Sequence, residues 1–157
     1  MSSTPKPRRE FIMSLAGAGL GTMLLDLPSA FAASSAPDKK TGSALAEVVK
    51  TASECIQTGE ACIAHCQKEL AEGNKSMAPC NQKVHDMLAL TRAMLSLASY
   101  DSALARKLAP VCAEACKSCA DACGEHKAHF AHGMHLPCKE CMEACLACEK
   151  ACHKLVA

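Results

Sequence analysis

Apolar and polar positions recur at intervals of three and four from about residue 43 to the C-terminus, and no stretch shows the alternation of β-branched and polar residues that marks a strand. The periodicity predicts four helices. The first spans about 43–72 and is stopped by Gly73 and Asn74, a C-terminal signal. The second starts near Ser76, with Pro79 in its first turn, and reaches about Ser99. Asp101 or Ser102 caps the third, which carries Pro110, should bend or restart there, and ends around Gly133. The fourth opens at Pro137 and continues to the C-terminus. Short connections make successive helices antiparallel neighbours, so the predicted fold is all-α, an up-down-up-down four-helix bundle.

What occupies the inward stripe of each helix is unusual. Helix four carries Cys138, Cys141, Cys145, Cys148 and Cys152, at steps that keep them on one face. Helix three repeats the pattern with Cys112, Cys116, Cys119 and Cys123. Helix one has Cys55, Cys62 and Cys66, with Gly59 where the same stepping would place another. Helix two has only Cys80, and its stripe continues through Met77, Val84, Met87, Thr91 and Met94, partly in thioether instead of thiol. The predicted core is therefore lined by cysteine.

Composition sharpens this picture, since 13 Cys stand against one Tyr, three Phe and no Trp among 157 residues. An aromatic-anchored core is excluded. Buried Cys can act as a small apolar filler, but Leu, Ile and Val would cover more area in those positions without redox hazard. Stapling of helical hairpins by disulfides predicts paired C-x9-C motifs, whereas runs of three- and four-residue steps dominate and an odd number of thiols cannot all pair within one chain. A formal net charge of +1 gives no reason to expect nucleic acid or an anionic membrane as partner.

Residues 1–32 read as a targeting segment. Arg8 and Arg9 precede Phe11, an apolar run spans Ile12 to Leu25, and Ala30-Phe31-Ala32 offers small residues for cleavage near Ala32. The order Arg8-Arg9-Glu10-Phe11-Ile12 resembles a twin-arginine signal, although Pro7 and Met13 depart from the usual pattern. The apolar run is shorter than the about 20 residues that span a bilayer, so the mature chain is expected to have no membrane span. Residues 33–42 read as a flexible mature N-terminus and 43–157 as the bundle. Cleavage would remove Lys6, Arg8, Arg9, Glu10 and Asp26, leaving a neutral chain. The expected location is the periplasm or another extracytoplasmic compartment, reached after folding in the reducing cytosol with thiols already buried.

So many inward thiols point to a soft metal, and charge selects which. When each Cys exchanges its proton for one monovalent cation, the interior gains no net charge however many sites fill. Zinc held by four thiolates leaves two negative charges per site, in stripes that contain no Lys or Arg, and buried unpaired charge is costly. Thiolate and thioether ligands select Cu(I), which accepts low coordination numbers. Five C-x3-C pairs follow, Cys62 with Cys66, Cys112 with Cys116, Cys119 with Cys123, Cys141 with Cys145 and Cys148 with Cys152, each one turn apart on one face. Bridging cysteines bring the expected capacity to on the order of 10–15 Cu(I) per chain.

The strings CAEACKSCADAC in helix three and CKECMEACLACEKAC in helix four make the chain resemble the bacterial copper storage proteins, in particular their exported, twin-arginine-dependent member, over about residues 43–157 and the signal. The resemblance implies Cu(I) held down the bundle core mainly by thiolate pairs, supply of that copper to copper-requiring enzymes, and a homotetramer. The exported form is similar in having 13 thiols, where cytosolic relatives have more.

Topology also predicts a direction for the ions. One pole collects Cys66, Met77, Cys80, His126, Met134 and Cys138, with His129, His132 and His135 nearby, and Met77, His126 and Met134 are candidate accessory ligands at this entry. His65 is expected to face outward. Val48, Leu97, Leu104 and Leu155 are expected to close the other pole.

Three alternatives use the thiols differently. An exported iron–sulfur protein would need a cluster-wrapping loop and ferredoxin spacing, which the helical runs do not supply. A thiol-disulfide enzyme would need one distinctive reactive pair. A zinc or cadmium thiolate buffer is the nearest rival. No Ser/His/Asp arrangement, carboxylate pair or phosphate-binding glycine loop stands out, and no enzymatic activity is expected.

Overall fold

The structure, a computed structural model, describes residues 39–157. The expected targeting segment at 1–32, with the residues up to 38, lies outside the described residues.

Among the described residues the chain is entirely helical, in the order α1 (Lys39–Ala71), a 3-10 turn (Lys75–Met77), α2 (Ala78–Ser99), α3 (Ala103–Gly124), the single turn α4 (Lys127–Phe130) and α5 (Leu136–Val156). The four long helices form the bundle. Each packs on two others, α1 and α3 both lying against α2 and α5.

Local chemistry explains most of the boundaries. Gly73, in a left-handed conformation at φ 95°, ends α1: Gly73 N donates to Leu70 O at 3.0 Å and Asn74 N to Glu69 O at 2.9 Å, the paired bonds of a Schellman cap. Ser102, rather than Asp101, caps α3 through a bond from Leu104 N to its hydroxyl at 3.3 Å. Pro137 sits in the first turn of α5, where its missing N–H costs nothing.

Three expectations about the elements are corrected. α1 begins at Lys39, so residues 39–42 are helical and not part of a flexible lead. α3 neither restarts at Pro110 nor reaches Gly133. Pro110 is exposed, so its ring and lost donor meet water rather than core. The helix stops at Gly124, a weak helix former, and a short turn from His126 N to Cys123 O at 3.2 Å redirects the chain across the pole.

All 13 cysteines lie in the buried core, flanked by modest aliphatic volume: Val48, Val84, Met87, Leu88, Met94 and Leu155 are among the larger apolar partners. The pole away from the loop carrying the histidines is closed by Val48 and Leu155, with Ala52, Ala98, Ala105 and Ala109 filling between helices. Leu97 is half-buried and packs against the core, whereas Leu104 is 54% exposed, contrary to the expected lining. On α3 the small Ala105 and Ala109 take the inward face, and this turns Leu104 to solvent. Two tethers hold this end together: Lys154 Nζ meets Glu47 Oε1 at 2.6 Å, and Arg106 Nη1 donates to the Leu155 carbonyl at 2.9 Å.

Candidate metal centre

Helical periodicity aims the thiols inward, and four helices aim them at one axis. Toward the histidine pole, Cys62 Sγ lies 4.0 Å from Cys66, 4.0 Å from Cys80, 3.9 Å from Cys123 and 3.7 Å from Cys138. Cys80 completes the group, 3.7 Å from Cys66 and 3.4 Å from Cys123. Midway along the axis Cys141 Sγ lies 3.8 Å from Cys119 and 4.0 Å from Cys145, and Cys55 is 3.5 Å from Cys145. All thirteen are free thiols.

The sulfurs form sets that share members. Cys62, Cys66, Cys80 and Cys138 lie mutually within 4.8 Å, as do Cys62, Cys123 and Cys141; Cys119, Cys141 and Cys145; Cys55, Cys116 and Cys148; and Cys112, Cys148 and Cys152. Cys62, Cys141 and Cys148 each belong to two sets, and the Cys55–Cys145 approach joins the middle sets, so one sulfur array runs along the axis. Every one of the thirteen belongs to it. The shortest sulfur–sulfur approaches cross between helices, whereas the C-x3-C partners Cys62 and Cys66, like Cys141 and Cys145, stand 4.0 Å apart. Sequence spacing shows the pairs along a helix but not these cross-helix neighbours.

Hydrogen bonds between the sulfurs divide the protons unequally. Cys123 is pushed above the usual thiol range by its thiol neighbours, Cys119 first and then Cys138, Cys141 and Cys62, and by burial. Cys145 is pushed up in the same way, by Cys116 first and then Cys119, Cys141 and Cys55. Cys138 and Cys141, which both contact Cys123, move the other way. Cys80 is held down to about 4, Cys123 contributing most, and Cys138 is likewise lowered by Cys123 and then Cys62, Cys66 and Cys80. Thiolates in this core are thus stabilised by neighbouring S–H groups, and a cation that replaces a shared proton relieves the same electrostatic demand.

The histidine pole forms a cavity of about 670 Å³ lined by His65, His126, His129, Met134, His135 and Glu69, among others. His135, left-handed at φ 53°, is its hub: its Nδ1 lies 2.7 Å from His65 Nε2, and its ring centroid lies 5.3 Å from that of His126 and 5.5 Å from that of His129. Of the expected accessory residues, His126 is buried beneath the cavity, Met134 is exposed on its rim, and Met77 is fully buried in the core. His65 was expected to face outward and instead joins the cluster. Its position next to Cys66, in the last turns of α1, was the available signal. His132 stays exposed and outside the cluster.

A helical bundle whose axis is an unbroken file of free thiols, open at a histidine-lined end, defines a soft-metal-binding protein rather than a redox or structural disulfide one. The chain belongs to the copper storage protein family, whose model matches residues 41–157. Among solved structures it is similar to a cytosolic copper storage protein from Streptomyces lividans described with five coppers, at 29% identity and a TM-score of 0.63, covering 74% of this chain and 94% of that one. It is also similar to the copper storage protein Ccsp of the same organism loaded with 10 copper equivalents, at 27% identity and a TM-score of 0.63, covering 78% of this chain and 92% of that one. No curated protein matches the chain.

These relatives correct the expected location. The Streptomyces protein is described as cytosolic, which contradicts assignment of this chain to the periplasm. The residues on which that assignment rested lie outside the described ones.

Proposed function

We propose that Cys55, Cys62, Cys66, Cys80, Cys112, Cys116, Cys119, Cys123, Cys138, Cys141, Cys145, Cys148 and Cys152 are the ligands through which this chain stores Cu(I). The observation that carries the proposal is the sharing of sulfurs between neighbouring sets, which lets one thiolate bridge two ions and brings the metal count near the thiol count. Membership of a copper storage family and likeness to a Streptomyces structure loaded with 10 copper equivalents support copper as the cargo. Monovalent loading keeps the core neutral, which a divalent metal would not.

Copper enters and leaves at the histidine-lined pole, where imidazole and thioether groups stand between solvent and the first four-sulfur set; the opposite pole is sealed by Val48 and Leu155. The role is storage without catalysis, with copper-requiring enzymes as the eventual recipients and a homotetramer as the assembled form; family resemblance supports both. Anaerobic titration of reduced apoprotein with Cu(I) tests the central reading. Saturation should come at on the order of 10–15 ions per chain; saturation at three or four would refute the array, and preferential loading of zinc or cadmium in competition would favour a divalent thiolate buffer.

A further inference from the structure

Helix α2 contributes a single thiol, Cys80, and beyond it the inward stripe passes through Val84, Met87, Thr91 and Met94. Midway along, the facing helix α1 lacks a thiol too, because Gly59 stands where its stripe would place one. These two gaps meet. A Cβ on Gly59 would lie 2.9 Å from Met87 Cε and 2.9 Å from Leu88 Cδ2, so the glycine lets α2 approach α1 closely and Met87 fill the space. Leu88 covers the apolar side of that contact. Met87 does something a leucine could not: it is fully buried and its Sδ accepts the Cys55 thiol at 3.3 Å, while Cys55 Sγ lies 3.5 Å from Cys145 Sγ.

The geometry points to Met87 as a copper ligand, its thioether completing a Cu(I) site with the Cys55 and Cys145 thiolates in the middle of the bundle. This rests on the copper-storage reading above. Metal–thiolate bonds of about 2.3 Å give a trigonal site edges of about 4 Å, so the two edges that meet at Cys55, 3.3 Å to Met87 and 3.5 Å to Cys145, need only lengthen by about half an ångström as the ion replaces a shared thiol proton. Met87, unbranched and with three rotatable bonds, can follow that movement. A thioether adds a soft ligand without a proton to displace and without a charge to bury. The site therefore extends the array at a level where α2 offers a thioether in place of a thiol.

Selenomethionine-labelled protein, loaded anaerobically with Cu(I) to saturation, permits a direct test by selenium-edge X-ray absorption, with Met87→Leu and the equally buried Met94→Leu compared under the same loading. We expect selenium–copper scattering in the unsubstituted protein, a clear loss of its amplitude in Met87→Leu, full amplitude in Met94→Leu, and a saturation level lower by about one ion in Met87→Leu. Unchanged scattering amplitude in Met87→Leu overturns the assignment, whatever happens to capacity, and so does an equal loss in Met94→Leu. Loss of amplitude in Met87→Leu alone supports it even at unchanged capacity, since the thiolates can then hold the ion between them. If the unsubstituted protein itself saturates at three or four ions, the storage reading fails, which separates that failure from one confined to Met87.

Discussion

The sulfur atoms of Cys80 and Cys123, 43 residues apart along the chain, lie 3.4 Å from each other across the α2–α3 contact. Cys80 is the sole thiol of α2, and it also faces Cys62 and Cys66. Cys80→Ala should therefore lower Cu(I) capacity by about one ion, since the remaining bridging sulfurs can rearrange. Cys119→Ala, deeper in the array, should do the same with the helices intact. Counting bound ions alongside far-ultraviolet circular dichroism checks both; loss of all binding from either variant would mean one indivisible cluster.

Proton sharing in the core makes apoprotein stability depend on pH with two signs. Cys123 and Cys145 keep their protons above the ordinary thiol value of 9.0, so above that pH the unfolded chain ionises first and stability falls. Cys80, held down to about 4, contributes stability that is complete above 9.0 and is lost as pH falls through 4. The apoprotein Tm should thus climb from acid pH and turn down above 9.0. Loading with Cu(I) replaces the protons, so the alkaline decline should vanish in thermal melts of the loaded protein.

Gly59→Ala tests the close approach of α1 and α2. Alanine gains about 1 kcal/mol of helix propensity over glycine, but its methyl would meet Met87 and Leu88 at 2.9 Å. Overpacking of this kind costs about 1–3 kcal/mol. A net loss of stability is expected by urea denaturation of the apoprotein; a gain would show that the two side chains yield freely.

At the sealed pole, Leu155 is 2% exposed and packs in the core. Leu155→Ala should destabilise the apoprotein by about 2–5 kcal/mol, leaving Cu(I) capacity unchanged because no sulfur is removed. A fall in capacity, measured by the same titration, would contradict the separation of stability at one end from binding along the axis.

His135 is the hub of the histidine cavity and adopts a left-handed backbone that Asn also tolerates. His135→Asn should slow Cu(I) uptake in stopped-flow mixing with a copper donor while leaving the final capacity intact. Unchanged uptake kinetics would place entry elsewhere.

Much of this protein can be read from local spacing. Cysteines three and four apart must share a helical face, and so many on one face can hardly be directed to solvent; the four long helices, the caps at Gly73 and Ser102 and the inward stripes of α3 and α5 all follow from interactions within a few residues. Other features were settled across the bundle: His65, beside Cys66 on α1, turns toward His135, 70 residues further along the chain.

Sequence alone determined that sulfur would occupy the bundle seam, because helical periodicity is a property of one segment and needs no partner. Only tertiary structure decided which sulfurs become neighbours: Cys55 meets Cys145 and Met87, and Cys80 meets Cys123, through the relative rotation and height of separate helices. Those two quantities are set by how whole helix faces interdigitate, down to the missing side chain at Gly59, and no spacing within a single helix encodes them.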